Sequence, residues 1–115
     1  MRDEIGDKQR LIHILEAISE IESYIKSSSF DDFISNSMMR FASIKQIEII
    51  GEASNFITDI TKNKFSDIEW QKIIGLRHVL VHEYFGVDMT IIWQIIEKDI
   101  PELKLEIEHL INEIE

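Results

Sequence analysis

LIHILEAISEIESYI, residues 11–25, decides the fold class. Leu11, Ile14, Ile18, Ile21 and Ile25 recur at steps of three and four, which lines them up as one apolar stripe on a helix of about 22 residues. A strand would alternate every second residue, and no such run occurs anywhere in the chain. Ser27-Ser28-Ser29 interrupts the pattern and can cap the next helix, with Asp31 and Asp32 favoured beside its positive N-terminus. That second helix is predicted to reach about Thr61, carrying Ile34, Met38, Phe41, Ile49, Ala53, Phe56 and Ile60. At about 1.5 Å per residue it exceeds roughly 40 Å, so a bend or one long helix is expected. Gly51 inside it costs ~1 kcal/mol against alanine, or else marks a close helix–helix crossing.

Further along, Lys62-Asn63-Lys64 reads as a loop, and Ser66-Asp67-Ile68-Glu69 as a capping box that opens a third helix. The third helix is predicted to run to about Tyr84, with Gly86 as its C-terminal cap. Asp88 caps a fourth, on which Trp93, Ile96, Ile100, Leu103, Ile107, Leu110 and Ile114 form a continuous stripe. Pro101 interrupts that helix, and Asp99 is expected to serve as a fresh N-cap there, splitting the segment in two. The expectation is an all-α bundle of four to five helices.

One hundred and fifteen residues allow a single domain, 1–115. Hydrophobic residues at 44% and charged residues at 30% exclude a disordered tail. No apolar run exceeds three or four residues, far below the ~18 needed to span a bilayer, so no membrane segment is expected. The charged start MRDEIGDKQR carries no signal-peptide core, and the lack of cysteine fits a reducing compartment; a cytoplasmic location is expected. Twelve basic against 22 acidic residues give a net charge of −10, which argues against a general phosphate-binding surface. A small cationic site on an acidic body escapes that objection, above all where two copies bring it together.

Chemistry concentrates on the third helix. Arg77-His78-Val79-Leu80-Val81-His82-Glu83-Tyr84 holds two of the four histidines, an arginine and a tyrosine. His78 and His82 are i,i+4 neighbours, and Gly75 and Gln71 extend their face backwards. Arg77 and Tyr84 share a second face, while Arg77 and His82 stand about 140° apart around the axis. Three readings stay open on spacing alone. The residues end a helix and bond to its backbone; the histidine pair binds a metal, though without a third ligand nearby in sequence; or Arg77 and His82 form a ribonuclease site. In the last, histidine moves a proton near neutral pH and arginine stabilises charge on a phosphorane.

The stretch GLRHVLVHEYFGVD, residues 75–88, resembles the HepT-like branch of the HEPN ribonuclease toxins, marked by Arg, a polar residue, a spacer, His, any residue, Tyr. IGEASNFIT at 50–58, SDIEWQKIIGLR at 66–77 and VDMTIIWQIIEKDIPELKLEI at 87–107 look like family segments in family order. The resemblance implies an antiparallel HEPN-like bundle forming a symmetric homodimer, with Arg77 and His82 as the catalytic pair at a shared cleft. His78 stands at the polar position where members of this branch often have asparagine. The implied reaction is metal-independent cleavage of RNA, with no cofactor and with DNA spared. Tyr84 corresponds to the tyrosine to which MntA-type nucleotidyltransferase antitoxins add adenylyl groups. A rival is a non-catalytic helical companion that binds substrate for a nucleotidyltransferase, which does not need the Arg–His–Tyr motif.

Overall fold

The computed structural model describes the backbone of residues 2–82 and 88–114, with side chains placed except at 2–5, 78, 79, 81 and 82. Tyr84 and Gly86 therefore lie outside the described residues, and so does the expected helix cap at Gly86. Every regular element among the described residues is helical: α1 (Arg2–Ile25), α2 (Phe30–Ser35), α3 (Ser37–Asn55), α4 (Asp59–Lys64), α5 (Trp70–His82), α6 (Met89–Gln94) and α7 (Ile100–Ile114). None is long and apolar enough to cross a membrane.

The stripe of α1 is the centre of the core. Leu11, Ile14, Ile18 and Ile21 are fully buried, packed by α3 on one side and α7 on the other. Along α3 the partners run backwards: Arg10 lies over the Phe56 ring, while Gln46 donates to the Tyr24 hydroxyl at 3.3 Å. α1 and α3 are thus antiparallel. The C-terminal stripe holds as well, with Ile96, Ile100, Leu103, Ile107 and Leu110 all buried. Phe33 of α2 closes one end against Trp93, ring centroids 5.1 Å apart.

The expected second helix is three. Ser29 caps α2 as anticipated: its Oγ accepts from the Asp32 N–H at 3.1 Å, and the Asp32 carboxylate accepts from the Ser29 N–H at 2.9 Å. The helix stops at Asn36, whose Oδ1 accepts from the Met39 N–H at 3.0 Å and restarts the chain as α3. The predicted stripe is also out of phase. Met38, Phe41, Phe56 and Ile60 are more than half exposed and Ile34 is 41% exposed, while Ser43, Ile44, Ile47, Ile50, Gly51 and Ser54 are buried. The cause is that α3 packs against both α1 and α5 and carries apolar residues around most of its circumference. Periodicity then offers several stripes of similar strength, and contact chooses among them.

Lys62-Asn63-Lys64 is not a loop but the last turn of α4. Thr58 caps that helix, and the buried Asp7 of α1 secures the cap from a distance, accepting from the Thr58 N–H at 3.0 Å and from both the Thr58 and Thr61 hydroxyls. Ser66 does not open α5. Ile68 and Trp70 are buried instead, the Trp70 indole donates to the Phe65 carbonyl at 3.2 Å, and the Glu69 carbonyl accepts from Lys72 and Ile73. Asp88 caps α6 as expected, accepting from the Thr90 N–H at 2.9 Å. The segment divides as expected, α7 starting at Ile100 directly after Asp99 with Pro101 in its first turn, but the join is a continuous helical turn and not a capped break. A π-helical turn, Ile95–Asp99, joins α6 to α7, with the Ile100 N–H donating to the Ile95 carbonyl. The wider turn relieves the crowding that Pro101 imposes on the preceding carbonyls, so the chain continues helically.

Between α5 and α7, Lys72 reaches Asp99 at 3.6 Å beside Glu69, Glu102 and Glu106. Burial first, then repulsion from Glu102 and Glu69, pushes the Glu106 carboxyl above its ordinary range, against a smaller pull from Lys72. The charged form is the disfavoured one in the fold. Stability is therefore greatest below the unfolded-state pKa and falls as pH rises through the raised folded value. Glu106→Gln is expected to melt above the unmodified chain at pH 7, the two curves converging below about pH 4; thermal melts across that range check it.

Candidate active site

α5 carries the candidate residues, and its seat on α3 determines how they are presented. At the crossing, Gly51 of α3 faces Arg77 and Ile73 of α5. A methyl group added to Gly51 would stand 2.9 Å from the Arg77 Cβ, 3.3 Å from the Arg77 nitrogen and 3.4 Å from the Ile73 carbonyl oxygen. No other residue fits there without moving a helix. Of the two readings of Gly51, the close crossing is the one the structure shows, and it lies directly beneath the arginine.

The next residue on α3 holds the other end of the side chain. Arg77 Nη1 lies 2.8 Å from Glu52 Oε2, with the two side chains 44% and 52% exposed. Such a pair in water is worth about 0–1 kcal/mol, so its significance is geometric more than energetic. Glu52 also borders an open groove of about 440 Å³ between α1 and α3, together with Arg10 and His13. The carboxylate is thus within reach of water and of a ligand.

His82 is the last described residue of α5, about 140° around and about 7.5 Å along the axis from Arg77. Positions 77 and 82 of one helix are thus separated by more than a third of a turn. His78 follows Arg77 on the same helix, and both histidine side chains lie outside the described residues, as does Tyr84. Gly75, one turn before His78 and Val79, has open space where a Cβ would be, which leaves that face of α5 unobstructed at this level. Glu52 was not singled out by spacing; the only signal for it in the sequence is its place directly after the crossing glycine.

The described residues form an all-α bundle whose α5 carries Arg77 five residues ahead of His82, in line with the resemblance to the HEPN ribonucleases noted from the sequence. Comparison with known proteins agrees: the family described as Ribonuclease HepT-like matches residues 14–110, and the chain belongs to that family of ribonucleases. It is 40% identical over 101 residues to “Putative RNase MJ1380” of Methanocaldococcus jannaschii, covering 88% of this chain and 93% of the relative. It is likewise 40% identical over 103 residues to “Probable ribonuclease HepT” of Thermococcus cleftensis, covering 90% and 94% of the two chains. No solved structure matches the chain.

Proposed function

We propose that the chain is the toxin of a toxin–antitoxin module, an endoribonuclease that cuts RNA without a metal ion at a cleft shared by two copies. The observation that carries this is the fixed, half-exposed Arg77 on α5 ahead of His82, in a chain whose relatives bear ribonuclease names. The 2′-hydroxyl of one nucleotide attacks its own 3′-phosphorus. The new O2′–P bond forms as the P–O5′ bond breaks, and the proton given up by the 2′-hydroxyl is balanced by one delivered to the 5′ oxygen. A 2′,3′-cyclic phosphate and a 5′-hydroxyl remain. His82 moves a proton and Arg77 bears the charge gathering on the phosphoryl oxygens. His78, beside Arg77 in sequence, is assigned to the same catalytic group by the family motif. DNA lacks the attacking hydroxyl and is spared.

The dimer answers the geometry of a single α5. A twofold axis doubles Arg77 on an otherwise acidic body and lets Arg77 of one protomer work with His82 of the other. Light scattering is expected to return twice the 13.5 kDa of one chain. Expression alone should arrest growth, and purified protein should cut RNA in EDTA to products ending in cyclic phosphate. An inert chain that still binds a nucleotidyltransferase would favour the substrate-binding companion.

Regulation falls to Tyr84. A partner nucleotidyltransferase of the MntA type adds adenylyl groups there, and their negative charge beside Arg77 and His82 keeps the RNA phosphate out. Tyr84→Phe is expected to cut RNA at the unmodified rate yet escape neutralisation on co-expression. Intact-mass and peptide mapping follow the added adenylyl mass; silencing without any modification of Tyr84 would leave simple complex formation as the mechanism.

A further inference from the structure

We propose that Glu52 is a positioning residue for Arg77, holding the guanidinium where it meets the scissile phosphate. This rests on the ribonuclease reading above. An arginine in water samples many rotamers, and ordering it at the moment of reaction costs rate; a site held beforehand avoids that cost. Arg77 is restrained at two points. Its Cβ lies against Gly51, where nothing larger than hydrogen fits, and its Nη1 lies 2.8 Å from Glu52. Both restraints come from consecutive residues of α3, so one helix crossing fixes the root and the tip of the side chain together. The pair uses a single guanidinium nitrogen, and arginine has five N–H donors, so donors remain for a phosphoryl oxygen.

A carboxylate beside a phosphate site also repels the substrate. That gives the positioning role a signature that a merely structural one lacks. Removing the charge should leave RNA binding unchanged or tighter while chemistry slows. Glu48, one turn earlier on α3, pairs with Lys45 at 3.7 Å and provides a control for general charge.

The experiment measures kcat and KM on one defined RNA oligonucleotide for the unmodified chain and for Glu52→Ala, Glu52→Gln, Glu52→Asp and Glu48→Ala. Glu52→Ala is expected to lose roughly three- to fivefold in kcat, the most that a solvent-exposed pair can supply, with KM unchanged or lower. Glu52→Gln, which keeps the shape and an accepting oxygen, should recover part of the loss, and Glu48→Ala should match the unmodified chain. Unchanged kcat in Glu52→Ala overturns the proposal; a raised kcat does so too, and makes Glu52 a counter-ion that RNA displaces. In parallel, the Arg77 Nε–Hε signal in a ¹H–¹⁵N spectrum should be distinct in the unmodified chain and averaged in Glu52→Ala. An unchanged signal overturns the ordering by Glu52 whatever the activity. A chain that orders Arg77 in this way yet cuts no RNA instead refutes the ribonuclease reading, and the catalytic half of the proposal with it.

Discussion

Replacing Arg77 by alanine is expected to slow RNA cleavage by about a thousandfold or more while moving the melting temperature by only a few degrees. The two effects separate because the side chain is 44% exposed and, among the described residues, its ion pair is with a similarly accessible Glu52. A surface pair of that kind contributes about 0–1 kcal/mol to folding. A preorganised donor aimed at developing phosphoryl charge is worth far more, about 10²–10³ in rate for a single hydrogen bond and up to ~10⁵ for an arginine. His82→Ala should fall by about 10²–10⁴ through loss of proton transfer. Arg77→Lys should rescue little, since an ammonium keeps the charge but loses the planar fork that meets two oxygens at once. Single-turnover cleavage with thermal melts in parallel checks all three. Cleavage by Arg77→Ala at the unmodified rate would remove this arginine from the site.

Gly51→Leu is expected to damage both the fold and the site. Its Cβ alone would approach Arg77 Cβ to 2.9 Å, and neither that atom nor the backbone beside it is a flexible tip that can swing away. The helices must part, and overpacking of this kind costs about 2–3 kcal/mol, or roughly 10 °C in melting temperature for a chain of this size. Activity should fall further than stability, and should be lost even at temperatures where the variant is folded, because the displaced helix is the one that carries Arg77. Gly51→Ala separates the two effects. Alanine gains ~1 kcal/mol of helix propensity that offsets the forced shift, so stability should stay close to the unmodified value while cleavage declines. Urea unfolding and cleavage rates on the same preparations check this, and a fully active Gly51→Leu would show that the crossing does not matter to the site.

What the sequence by itself determined lies where the apolar residues of a helix form a single stripe against polar residues on the rest of its surface. The stripe of α1 and the stripe running from Trp93 to Leu110 are strongly one-sided, and both are buried as their spacing requires. The caps at Ser29 and Asp88 are local bonds over two or three residues, so their residue types announce them. Gly51 stood between two readings, a modest cost and a close crossing, and packing selected the second; the stretch from Arg77 to Tyr84 left three readings open on spacing alone.

Only the tertiary structure decided the rest. The stripe of α3 depends on two neighbours at once, so its phase followed from packing and not from period, leaving Met38 and Phe41 outside and Ser43 and Ser54 inside. The cap of α4 comes from Asp7, 51 residues away from Thr58, and no local pattern encodes a partner at that distance. Pro101 follows a π turn across which Ile96 and Ile100 both stay in the core, a join that the residue types alone do not announce. Glu52 belongs with these. A glutamate on a helix surface is ordinarily a solvated charge, and it meets Arg77 only because Gly51, one residue before it, lets α5 approach so closely.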